Sequence, residues 1–144
     1  MELVHEFDYY ATLKPPVTFG TRMFLEVGEG KVTGERLSGT LLPGGGDWLV
    51  LDGGWGHVDV RGQIATDDGA FVYVHYTGLL ELNDTVLSAT TSGSGTDWQE
   101  QYFRTTPRFE TGDDRYRWLT TSLFAARGRL RAGGGVEYQV FRIT

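Results

Sequence analysis

Apolar and polar residues alternate with a period of two through most of this chain, the spacing that sends successive side chains to opposite faces of a strand. In residues 56–65, Val58, Val60, Gly62 and Ile64 fall on one phase and His57, Asp59, Arg61 and Gln63 on the other. Residues 70–77 repeat the pattern, with Val72, Val74 and Tyr76 opposing Phe71, Tyr73 and His75. Between them, Asp67-Asp68-Gly69 carries the turn chemistry of a hairpin, its glycine suited to left-handed backbone. The same criterion predicts strands over 2–10, 22–28, 31–42, 48–51, 100–106, 122–131 and 136–143. Gly28-Glu29-Gly30-Lys31 reads as a turn, and Pro15-Pro16 as a loop, because proline cannot lie inside a sheet. A short helix is expected over 113–120, with Asp113 as its cap and Asp114 in the positively polarised first turn. Residues 79–98, which include Thr90-Thr91-Ser92-Gly93-Ser94-Gly95-Thr96, read as a mobile loop in the position of a lid.

Twenty-one glycines spread along 144 residues punctuate many short segments rather than a few long ones. The expected fold is therefore all-β: a single-domain antiparallel β-barrel over 1–144 with at most one or two short helices. Without cysteine there is no disulfide framework and no thiolate chemistry. The opening residues lack the basic-then-apolar order of a secretion signal, and no apolar run approaches the roughly 18 residues of a membrane span, so a cytoplasmic location is expected.

The net charge of -6 is uneven along the chain: residues 1–100 hold 5 basic and 15 acidic groups, and 101–144 hold 8 basic and 4 acidic. All 8 late basic residues are arginine, which suits forked hydrogen bonds to carboxylate or enolate oxygens. An acidic protein is a poor nucleic-acid binder, since it has few counterions to release. Arg115, Arg117, Arg129 and Arg131 are expected to pair with nearby acidic groups instead of a ligand.

One stretch concentrates aromatic, guanidinium and hydroxyl groups: Tyr102-Phe103-Arg104-Thr105-Thr106-Pro107-Arg108-Phe109-Glu110-Thr111-Gly112. With Asp113 to Leu119, Leu37 to Trp48, Thr66 to Ala70, Tyr73-Val74, and Leu123-Phe124 leading into Arg127-Gly128-Arg129, it resembles the bacterial family known as domain of unknown function 3237. The resemblance runs from about Gly20 to the end, leaving aside His75-Tyr76 and residues 79–98. It implies a compact β-barrel and assigns no reaction. At the level of fold, the expected barrel is similar to those of allene oxide cyclases and dirigent proteins.

Motifs for the common cofactors fail. Gly28-x-Gly30-x-x-x-Gly34 misses the dinucleotide spacing, Gly44-Gly45-Gly46 lacks the Lys-Ser/Thr of a phosphate loop, and Ser94 is not in a nucleophile elbow. His5, His57 and His75 lack paired ligand spacing, so neither a cofactor nor a metal is expected. Acid–base chemistry remains. Asp47, beside Trp48, is placed for a desolvated carboxylate of raised pKa; His75 is the other proton carrier, and Arg104 the group to hold an oxyanion. Arg61, Tyr73, Trp48 and Tyr102 are the expected substrate-binding residues, with Arg61, Tyr73 and Arg104 facing one barrel cavity. The partner is a small, partly apolar, oxygen-bearing ligand or substrate, with no nucleic acid and no membrane, and a homo-oligomer is left open. Cofactor-free isomerisation, cyclisation or hydrolysis competes with a non-catalytic carrier or sensor, and with an oligomeric interaction module.

Overall fold

In the computed structural model, which describes residues 1–144, the alternating segments form one sheet of β1 (Leu3–Leu13), β2 (Val17–Phe19), β3 (Arg22–Gly34), β4 (Gly39–Leu41), β5 (Gly46–Asp52), β6 (Trp55–Thr66), β7 (Phe71–Glu81), β8 (Phe103–Thr105), β9 (Arg108–Glu110), β10 (Leu123–Leu130) and β11 (Val136–Ile143). The only helical segments are α1 (Asp84–Ser92), a 3-10 turn at Asp114–Tyr116 and the four-residue α2 (Arg117–Thr120). Hydrogen-bonded neighbours run β3, β1, β11, β10, β8, β7, β6, β5 and back to β3, closing an antiparallel barrel with eight wall positions.

Two of those positions are filled by interrupted strands. β3 pairs with β5 through residues 22–26 and with β4 through residues 30–32. On the other side of the β6–β7 hairpin, β7 pairs with β8 at Gly78–Leu80 and with β9 at Tyr73–His75. The breaks fall at Pro43-Gly44, where Gly44 takes φ +99, and at Thr106-Pro107. Proline cannot donate to a ladder, and an irregular residue bends a strand, so each break lets the wall curve toward closure.

Three expectations about elements change. Gly28 to Lys31 do not form a turn but lie inside β3, opposite a register shift between Ala11 and Leu13. The Thr12 hydroxyl accepts the Glu29 N–H at 3.0 Å, so the glycines absorb a bulge that a side chain stabilises. The strand expected over 31–42 stops at Gly34, and β4 folds back on β3, pairing Leu41 with Gly30 and Gly39 with Val32. Within 79–98, β7 continues to Glu81, and 84–92 are helical rather than a loop. Asn83 caps α1 by accepting the Val86 N–H, and Gly93 ends it in left-handed backbone at φ 73. Val86 and Ala89 of α1 enter the apolar core, as do Tyr116 and Leu119 beside and within α2.

The interior takes the aliphatic phase of every wall strand. Val58, Val60, Ile64, Val72, Val74 and Tyr76 are buried, together with Phe7, Tyr9, Phe103, Tyr138 and Val140. Large rings fit because glycine stands where they meet the wall. Tyr9 stacks on Tyr138 at 4.8 Å, and Phe103 meets Tyr138 edge-on at 5.2 Å, in front of Gly128. A Cβ at Gly128 would come within 2.6 Å of the Phe103 ring, which is itself immobilised at 1% exposure. α2 is fastened by Glu6, whose carboxylate accepts from Arg36 Nη2 at 2.6 Å and Arg142 Nε at 2.8 Å, while Arg36 lies 3.7 Å above the Trp118 ring. Burial would raise the Glu6 pKa, but the two guanidinium groups hold it below the usual glutamate value.

Gly128→Ala should lower stability by about 1–3 kcal/mol, the usual consequence of overpacking a filled core. Urea unfolding followed by tryptophan fluorescence would measure it, and an unchanged midpoint would contradict this account of the interior.

Candidate functional site

The charged residues of β6 and β7 face outward, opposite to the expectation that they line a cavity. An eight-strand barrel has room inside for filling side chains or at most one small ligand, and charged groups left there would lose their hydration. The aliphatic phase therefore takes the interior, and His57, Asp59, Arg61 and Gln63 take the water. Arg61 and Tyr73 do meet, guanidinium to phenol, but on the outer wall. Their groove of about 440 Å³ is also lined by Gly45, Phe71 and Glu110. Arg104 is elsewhere on the outer wall: it donates to the Phe103 carbonyl at 3.0 Å and lies 5.2 Å from the Tyr102 ring. Trp48, 45% exposed, stacks on Phe24 at 4.3 Å. His75 pairs with Asp59 at 2.9 Å beside Thr106 and Arg108. Thus Arg61, Tyr73 and Arg104 do not share a cavity, and the expected residues are spread over several outer grooves.

Asp47 alone among them points inward. It shares a phase with Leu49 and Leu51 of β5, and stands opposite Leu25 of β3 and Val60 of β6. Its place depends on a local opening of the sheet. β5 and β6 pair at Gly46/Arg61, Asp47/Val60 and Val50/His57, but not at the residues between. There the Trp48 carbonyl accepts Arg22 Nη1 at 3.2 Å, and the Asp59 N–H donates to Asp47 Oδ1 at 2.9 Å. A carboxylate thus replaces a main-chain acceptor in the barrel wall.

Two phenols from other strands, Tyr76 of β7 and Tyr138 of β11, lie within reach of the Asp47 charge, and Tyr9 of β1 packs against both. Their ring centroids lie 6.4, 4.8 and 5.4 Å apart, and all three residues are buried. Burial pushes Asp47 from 3.8 up to about 6, against the lowering effect of the Asp59 N–H, and the Asp59 charge adds to the rise. Burial likewise lifts Tyr76 to about 12, with the Asp47 charge contributing, and holds Tyr9 and Tyr138 well above the ordinary phenol value. The Thr105 hydroxyl has no hydrogen-bond partner, an unusual condition for a buried polar atom, and the Tyr9 hydroxyl has only a weak one in Tyr76. Asp47, only part-buried, is the member of the group that keeps contact with solvent.

The tyrosines were missed as site residues because they occupy the apolar phase of their strands, next to Phe7, Val74 and Val140, where an aromatic ring reads as core. The available signal was the repetition of a hydroxyl-bearing ring on three separate apolar faces.

The model of the family described as protein of unknown function, DUF3237, matches residues 1–143. A UPF0311 protein of Clostridium acetobutylicum is 36% identical over 106 residues, covering 73% of this chain and 67% of that protein. The crystal structure of a conserved protein of unknown function from Rhodopseudomonas palustris is 31% identical, with a TM-score of 0.90 over 99% of this chain and 97% of that one. An enzyme from Penicillium herquei shares the fold at 17% identity, with a TM-score of 0.65 over 96% of this chain and 93% of that one.

An aspartate whose pKa rises from 3.8 to about 6 on folding binds its proton more tightly in the native state, so stability falls as pH rises through that window. Above it the ionised carboxylate lowers stability by up to roughly 3 kcal/mol. Asp47→Asn, which keeps an acceptor for the Asp59 N–H, should melt higher than wild type at pH 8, with the difference shrinking as pH falls from 6 to 4. Differential scanning calorimetry across that range checks it, and a pH-independent difference would rule out a raised Asp47.

Proposed function

The chain belongs to the family described as protein of unknown function DUF3237, and we propose that it catalyses proton transfer on a small, partly apolar carbonyl compound, an isomerisation or cyclisation that passes through an enolate. Supporting this reading is an inward carboxyl pushed up to about 6 and set against the buried phenols of Tyr76 and Tyr138, with Tyr9 stacked on the latter. Keeping such a group in the core lowers stability, and a pKa moved toward neutrality is what a general base uses. Asp47 takes the proton from the carbon beside the carbonyl. The two electrons of that C–H bond form a C=C bond to the carbonyl carbon as the C=O π pair moves onto oxygen, and the resulting enolate oxygen accepts from phenol hydroxyls. Tyr76 and Tyr138 stay protonated at neutral pH and so remain donors throughout, and Tyr9 backs them from β1. Asp47 then returns the proton to the same carbon or, where the enolate is conjugated, to a further one.

This assignment moves oxyanion stabilisation from Arg104, on the outer wall, to the tyrosines. The enzyme from Penicillium herquei supports it only in that a barrel of this shape accommodates catalysis. In a carrier of the same ligand, Asp47 would bind without moving a proton.

The test follows α-proton exchange in deuterated water, by NMR, for a panel of β-ketoesters and cyclic enones. Exchange should rise with an apparent pKa near 6 as Asp47 ionises. Asp47→Asn should lower it by about 10²–10⁴-fold, and Tyr76→Phe by about 10²–10³-fold. Binding without exchange would favour the carrier, and exchange unaltered in Asp47→Asn would remove Asp47 as the base.

A further inference from the structure

The polar group inside the barrel and the ion pair outside it are joined through one residue of the wall. Asp59 lies on β6, and its main-chain N–H points toward β5 and donates to Asp47 Oδ1 at 2.9 Å. Its side chain emerges on the outer face, where Oδ1 lies 2.9 Å from His75 Nε2. The two sides of Asp59 therefore touch an interior carboxylate and an exterior imidazole at once. His75 and Asp59 keep 33% and 48% of their side-chain surfaces, so the outer pair is more open to solvent than the part-buried Asp47. The sheet is open at this point, since Trp48 and Leu49 of β5 make no ladder pairs with Asp59 and Val58. Nothing else in the ladder fixes Asp59 toward β5 there.

We propose that Asp59 and His75 are positioning residues for Asp47: His75, from outside the barrel, fixes and partly neutralises the Asp59 carboxylate, and Asp59 sets the orientation and ionisation of Asp47 within. The inference rests on the reading of Asp47 as the proton carrier. Protonated His75 cancels much of the Asp59 charge, which makes ionisation of Asp47 easier; neutral His75 leaves the Asp59 charge acting through the wall against it. Other charged groups face the pair without replacing this link. Arg61 of β6 and Arg108 of β9 stand directly across from His75, and Tyr73 and Thr77 flank it on β7. His57, two residues along β6, is paired with Asp52. Asp47 itself meets Leu25 of β3, Val60 of β6 and the interior phenols, none of which bears a charge at neutral pH.

The experiment reads Asp47 directly, in the full chain and without substrate, from the carboxyl-carbon NMR shifts of aspartate-labelled protein, with Asp47→Asn assigning the resonance. Asp59→Asn should lower the Asp47 midpoint by roughly half a unit or more, and His75→Gln should raise it by a similar amount. In the Asp59→Asn, His75→Gln double variant the His75 effect should vanish, because Asp59 carries it. A control series at Asp52, which pairs with His57 on the same face, should leave Asp47 unmoved. An Asp47 midpoint identical in wild type and His75→Gln, or a His75 effect that persists without Asp59, would overturn the proposal. The readout is independent of turnover. Loss of proton exchange with this coupling intact would remove the catalytic reading alone, and intact exchange with no coupling would remove this inference alone.

Discussion

The pairing of β1 with both β3 and β11 is the constraint on which the rest of the structure depends. Leu3 to Ala11 run against Val136 to Ile143 on one side, and Phe7 to Leu13 run against Val27 to Gly34 on the other. Without that seam the sheet would have two long open edges and no inside. With it, each strand must commit one phase to a narrow interior, and the period-two pattern turns into a division between core and water. Both the filled aromatic core and the charged outer wall follow from this choice of phase. The seam also brings Tyr9 beside Tyr138, although 128 residues separate them along the chain.

Against that background Asp47 is the exception that calls for a physical explanation. A part-buried carboxylate in an otherwise apolar phase lowers stability whenever it is ionised. The compensation is small: one main-chain N–H, from Asp59, at a point where the ladder has opened. A structural residue would serve better there, since valine or threonine would fill the position and leave the ladder free to close. Retaining a carboxylate beside the Tyr76 and Tyr138 phenols makes sense if the arrangement acts on something that completes it.

The sequence made the fold legible where alternation was strict. β6, β7, β10 and β11 lie within a few residues of the segments expected from periodicity, and Asp113 caps a helical turn as its side chain suggests, accepting the Arg115 N–H. It failed where two glycines carried two meanings. Gly28 and Gly30 read as a turn, but the Thr12 hydroxyl made a bulge there the better solution, a contact that exists only once β1 and β3 pair. Helix α1 was missed because its run of Thr, Ser and Ala has weak periodicity; Asn83 and Gly93 marked its ends all along. The candidate site was legible in part. Asp47 stood out beside the glycine run, but alternation alone cannot say which phase is inside, so Arg61, Tyr73 and Arg104 were assigned to a cavity they do not share.

The late arginines show how far the outer wall is a structure in its own right. Arg127 donates to Gln139 at 2.7 Å and Arg129 to Glu137 at 2.9 Å, both across the β10–β11 pair, and Arg129 lies 4.3 Å from the Trp98 ring. Arg131 lies 4.1 Å from the Tyr10 ring, and Arg142 joins Glu6. Each of these four guanidiniums covers an aromatic face or spans a neighbouring strand, so half of the eight arginines in the last 44 residues hold the last two strands to their surroundings. Those strands include Tyr138, the centre of the ring stack. The outer charge thus acts on the interior through position, by fixing the strand that carries Tyr138, and Asp47 itself faces hydroxyl groups and hydrocarbon rather than guanidinium.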